Sequence, residues 1–167
     1  VALQQAMAAQ AVATIEARLK ALGRPAPAVD RAAEESRRAL AGSDYVKALD
    51  LAIRASDALA DFRAAFEETE EVRIRATALR QIAREVGAEA AKLDRFVEGG
   101  DEALAAGDIE SARASFTQCL EWGIGLLRAR LKESLSKADE LVAAGRRLDI
   151  DPTPSLNRLS EARTQLD

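Results

Sequence analysis

The chain of 167 residues is 48% hydrophobic but only 4% aromatic, with four prolines and few β-branched residues; that profile suits long helices and excludes a β protein. Net charge is −4 with both signs interspersed, which argues against DNA or RNA as the main partner, because phosphate binding needs a basic footprint. Histidine is absent, and with it the commonest general base, the commonest metal ligand and the third member of most nucleophile triads.

Six helices are expected in chain order. The first runs from about Ala2 to Leu22, with Ala8, Val12, Ile15, Leu19 and Leu22 at steps of four and three. Gly23 and Pro25-Ala26-Pro27 end it, since proline cannot continue a helix and glycine favours the left-handed cap. A short second helix, about Ala28 to Ala41, turns Val29, Ala33, Ser36 and Leu40 inward. Gly42-Ser43-Asp44 closes it, and Ser43 or Asp44 caps a third, long helix from about Tyr45 to Val86. Its seam reads Ala48, Ala52, Ala55, Leu59, Phe62, Phe66, Thr69, Ala76, Leu79, Ala83, Val86, a heptad-like series that implies coiled-coil-like packing. Glu67-Glu68-Thr69-Glu70-Glu71 is its least apolar stretch and is expected to be its most exposed. A short fourth helix, about Ala90 to Ala105, is followed by a long fifth, about Ile109 to Arg147, with Ala112, Phe116, Cys119, Gly123, Leu127, Leu131, Ser134, Ala138, Leu141 and Gly145 on its seam. The loop Asp149 to Pro154 leads to a short sixth helix from about Ser155.

These elements repeat. Leu40-Ala41-Gly42-Ser43-Asp44-Tyr45 with Ala48 returns as Leu104-Ala105-Ala106-Gly107-Asp108-Ile109 with Ala112. Gly23, Asp30, Arg31 and Glu34 match Gly87, Asp94, Arg95 and Glu98 at the same offset of 64 positions. A third copy runs Leu148, Glu161, Arg163, Leu166 against Leu22, Glu35, Arg37, Leu40. A period this long marks stacked units, each too small to bury a core alone. The expected architecture is an all-α, elongated array of three-helix bundles sharing long continuous helices, with a repeat of about 63 residues: repeat 1 over 1–63, repeat 2 over 64–127 and a partial repeat 3 over 128–167. Helical rise puts the rod on the order of 110 Å long. Both ends read as cut points within a longer array.

A long helix passing uninterrupted from one bundle into the next resembles the spectrin-repeat architecture in topology, with a shorter period and an abbreviated middle helix. The phrase Leu104-Ala105-Ala106-Gly107-Asp108-Ile109, then Ala112, Phe116 and Leu120, is similar to the hairpin turn of tetratricopeptide repeats. Gly42-Ser43-Asp44-Tyr45 with Ala48 and Ala52 resembles it too. The period here is about twice the 34 residues of that family. The resemblance implies, as the rival to a rod, a groove that binds proteins or peptides.

Few residues invite chemistry. Glu67, Glu68, Glu70 and Glu71 spread around their helix, and Glu71 is placed to pair with Arg75 at i,i+4; a solvated face is expected. Cys119 lies on the apolar seam with no histidine or helix N-terminus beside it, so an inert buried thiol is expected. Asp149 and Asp151 flank Ile150 in too short a loop for a Ca²⁺ site. No Gly-rich phosphate loop or paired-cysteine zinc spacing occurs. Trp122, Gly123 and Gly125 form the candidate partner-docking site: an aromatic just off the seam beside two glycines that cost a helix roughly 1 kcal/mol each. The packing alternative is that Gly123 makes room for a bulky neighbour.

The expected function is therefore a non-enzymatic structural or scaffolding segment, a rod that spaces or docks other domains. No cofactor, metal or nucleic acid is called for, and no uninterrupted apolar stretch is long enough for membrane insertion. Partners are another protein or other domains of the parent chain, with self-association left open. A single cysteine leans slightly towards the cytoplasm.

Overall fold

The computed structural model describes residues 2–147 and 153–166, and the expected loop residues Asp149, Ile150, Asp151 and Pro152 lie outside them. The described residues form six α-helices and no strand: α1 (Ala2–Leu22), α2 (Pro27–Ala41), α3 (Tyr45–Glu85), α4 (Ala91–Ala106), α5 (Ile109–Arg147) and α6 (Thr153–Leu166). The protein is all-α.

The turns explain the boundaries. Pro27 opens α2, where its missing N–H is harmless, and the amide of the N-cap Ala26 donates to Asp30 Oδ2 at 3.1 Å. Asp44 and Asp108, 64 positions apart, do the same work at the starts of α3 and α5: Asp44 Oδ1 accepts from the Lys47 amide at 3.2 Å and Asp108 Oδ1 from the Ser111 amide at 3.1 Å. Four helices end on a left-handed residue, Gly23 (φ 66°), Ser43 (φ 63°), Gly87 (φ 68°) and Gly107 (φ 78°). After the last three, the following amide reaches back to close the last turn: Asp44 N to Ala39 O, Ala88 N to Ala83 O and Asp108 N to Ala103 O, at 2.9–3.0 Å. The left-handed residue of the first hairpin is thus Ser43, while Gly42 sits at φ −77°.

Two apolar cores form. One gathers Ile15 from α1, Val29 and Ala33 from α2, and Ala55 and Leu59 from the first half of α3. The other joins Ala76 and Ala83 from the second half of α3 to Leu93 and Val97 from α4 and to Phe116 and Cys119 from α5. Helix α3 therefore serves both. Within the described part of α5 no residue past Gly123 is fully buried, and α5 meets α6 there. Positions 64 apart exchange volume between the cores. In the first, Ser36 and Ala52 are both buried, and the Ser36 hydroxyl donates to Ala48 O at 2.7 Å. Gly100 pairs with Phe116 in the second, where a Cβ on Gly100 would come within 2.4 Å of the ring.

The expected seam of α3 is found in Ala48, Ala52, Ala55, Leu59, Thr69, Ala76 and Ala83, all buried. Phe62, Phe66 and Leu79 are half-buried, and Val86 is exposed at the helix end. The acidic stretch is a correction: it is not the most exposed part of α3. Thr69 is fully buried, because α5 begins alongside it and lays Arg113 across it. Arg113 donates to Glu68 at 2.6 Å, and Arg73 donates to Asp101 of α4 at 2.6 Å and to Glu70 at 3.2 Å. The Asp101 hydrogen bond raises the Arg73 pKa above its ordinary value. Such half-exposed pairs add little stability each; their effect is to fix how α4 and α5 sit against α3. On the other side, Arg24 lies 3.8 Å from the Phe66 ring centroid, and Gly107 approaches so closely that a Cβ there would stand 2.4 Å from Pro25 O. The two cores meet at a tightly seated joint.

Candidate docking site

Helix α5 carries Trp122, Gly123 and Gly125, and helical geometry sends them in different directions. Trp122 faces the outer groove between α4 and α5 and is 37% exposed. Lys92 of α4 places its ammonium 4.7 Å from the indole centroid and 5.8 Å from that of Phe96, which is half-buried on the same helix. A cation over an indole face at an exposed site contributes roughly 0.5–1 kcal/mol. The indole is thus held by one neighbouring helix while a third of its surface faces solvent.

Gly123, about 100° further round the helix, is buried. A Cβ there would meet Leu79 Cδ2 at 2.5 Å, Leu79 Cγ at 3.0 Å and Leu93 Cδ2 at 3.3 Å. Its counterpart 64 positions earlier is Leu59, and that of Leu79 is Ile15. The bulky residue sits on both helices in the first core but only on α3 in the second. Gly123 has a packing reason. Gly125 has none: nothing lies within 4 Å of a Cβ built on it. The exposed glycine thus lies one turn from the exposed tryptophan on the same side of α5, whereas Ile124 (48% exposed) points to another face of the helix. Sequence reasoning grouped Trp122, Gly123 and Gly125, of which the structure turns Gly123 inward, and missed Lys92 and Phe96. Their i,i+4 spacing on α4 is legible, but the register of α4 against α5 is not.

Cys119 is fully buried, with Sγ 3.8 Å from Ala76 O and 3.9 Å from Leu93 O, and burial pushes its thiol pKa up, away from reactivity. Among the described residues no group of three or more Cys, Asp and Glu side chains converges to hold a metal ion. No helix among them is long and apolar enough to cross a membrane. The chain matches no protein-family model, no curated protein and no solved structure.

Proposed function

We propose that the chain is a non-enzymatic scaffolding segment, a rod that spaces or docks other protein domains. It is read as three-helix units over 1–63, 64–127 and a partial 128–167, sharing long helices with coiled-coil-like packing. The observation that carries this reading is α3: 41 unbroken residues whose first half lines one core and whose second half lines the next. At the rise of an α-helix this is about 60 Å of continuous strut. The seated joint at Thr69 favours a stiff spacer, since a hinge needs few contacts and here ion pairs, a stacked arginine and a buried threonine cross it. The unequal helices, 41 and 39 residues against 15 and 16, favour the rod over a solenoid of equal tetratricopeptide-type hairpins.

Docking falls to the exposed edge of Trp122 with Gly125 beside it. Tryptophan is enriched among residues that dominate binding energy, and this one is already desolvated on one side. It is also the sole tryptophan, so its emission reports the site directly. A protein partner or flanking domain that docks there is expected to shift the emission to the blue and shield it from acrylamide. Trp122→Ala is expected to weaken that association at least tenfold, about 1.4 kcal/mol, with the circular dichroism unchanged. Equal affinity for the variant would move the docking site elsewhere.

A further inference from the structure

The outer valley between α1 and the first half of α3, on the side away from α2, is apolar without a packing reason. Its rim carries Met7 (49% exposed) and Ile53 (53%), with Leu49 and Ala11 between them, and its volume is about 370 Å³. Leu3 (73% exposed) and Val46 (67%) continue the same two stripes one turn earlier. The residues 64 positions on give an internal comparison. Leu3, Met7 and Ala11 become Glu67, Glu71 and Arg75, while Val46, Leu49 and Ile53 become Glu110, Arg113 and Thr117. The second core forms with polar side chains at all six of those places, so burial within the chain does not call for apolar ones in the first. At Gln10, Arg18 and Ser56 the exchange runs the other way, to Ile74, Ile82 and Leu120, which bounds the apolar patch to the start of the valley.

We propose that this face is covered by a second copy of the chain, packed two-fold and antiparallel, valley against valley. The charge pattern points to that occupant. Arg18 is the only charged residue lining the valley, and it already donates to Ser56 Oγ at 3.0 Å, so a charged partner finds nothing to pair with. A copy of the same neutral face meets no like-charge penalty, and antiparallel packing sets the Arg18 end of one chain against the Leu3 end of the other. An isologous contact also needs ridge and groove within one patch, and here Met7 and Ile53 flank the depression. Homodimer interfaces are more apolar than other contacts, which fits.

Size sets the strength. From Leu3 to Arg18 the valley is about 24 Å long by helical rise and roughly 20 Å wide for two helices, giving about 1,000 Å² buried over both copies, at the weak end of specific interfaces. The dimer is accordingly expected to be a weak one. The residue-by-residue comparison rests on the repeat reading above, whereas the association does not depend on the rod.

Sedimentation equilibrium from about 10 μM to 1 mM, the range in which weak association shows, tests it. The mean mass is expected to rise from the monomer's 17.9 kDa towards twice that value. The triple variant Met7→Glu, Leu49→Arg, Ile53→Thr installs the residues found 64 positions on, and is expected to weaken association at least tenfold with helicity unchanged. Should the triple variant lose helicity, Met7→Glu alone, at a half-exposed site, is expected to weaken association at least threefold. A monomer at every concentration would overturn the proposal, as would a dimer indifferent to Met7→Glu, or a monomer that instead binds lipid vesicles through this face. Failure of the rod reading would appear in distances within one chain, and not in its mass.

Discussion

Replacing Phe116 by alanine is expected to cost about 3–5 kcal/mol, the range for removing a fully enclosed phenylalanine. Phe116 has no exposed surface, and Gly100 of α4 receives its ring so closely that no Cβ fits between them. Gly100→Ser alone is expected to destabilise as well, by forcing the ring out of its seat. Combined, the two substitutions recreate the Ser36–Ala52 pair of the first core, in which a serine hydroxyl bonds the carbonyl one turn into the next helix. The double variant is therefore expected to be more stable than the sum of the two losses by at least about 1 kcal/mol, the scale of coupling between touching residues. Urea denaturation of the four proteins measures this. Strict additivity would mean that ring and glycine are not packed together.

The second large effect concerns two matched turns with opposite signs. Gly107→Ala places a side chain on a residue at φ 78°, with its Cβ 2.4 Å from the backbone oxygen of Pro25. The left-handed conformation costs an L-residue roughly 1–2 kcal/mol and the collision with an unyielding backbone adds roughly 1–3 kcal/mol, so a loss of about 3 kcal/mol is expected. Ser43 already endures the same conformation at φ 63°, and Ser43→Gly is expected to stabilise by up to about 1 kcal/mol. The melting temperatures of the two variants should move apart. A neutral Gly107→Ala would mean that the first loop does not rest on the α4–α5 turn.

What could be read from the sequence was whatever is local. Proline, glycine and the recurring Gly/Ser-Asp phrase marked the four junctions from α1 to α5, and steps of three and four picked out the buried face of α3 from Ala48 to Leu59. Which residue of the first hairpin is left-handed was not stated from the sequence; the structure puts Ser43 there, opposite Gly107 in the repeat, and not Gly42. The acidic stretch misled. Composition reports charge, but the coverage of Thr69 depends on Arg113, which is 44 residues away. The docking candidate was half legible: an exposed indole beside glycines was expected, whereas the inward turn of Gly123 onto Leu79 and the Lys92 ammonium over Trp122 depend on how three helices register. Long-range register is the part that periodicity does not encode.

In the proposed rod, α5 starts back beside Ala65 and Glu68, so two struts of about 60 Å share roughly 30 Å, and the expected length falls from about 110 Å to about 90 Å. The central claim is that α3 passes straight from one core to the next and hands on to α5 in register. Spin labels on Asp50→Cys and Lys132→Cys, both exposed sites, measure this directly by pulsed electron–electron resonance, with labelled chains diluted into unlabelled ones. Cys119 is enclosed and stays unlabelled. Arg130 Nε lies 3.4 Å from Val86 O, so Lys132 stands level with the end of α3, and the account predicts one narrow distance of about 55 Å from helical rise. A broad distribution, or a distance below about 35 Å, as a chain folded back at the acidic stretch of α3 would give, would contradict it.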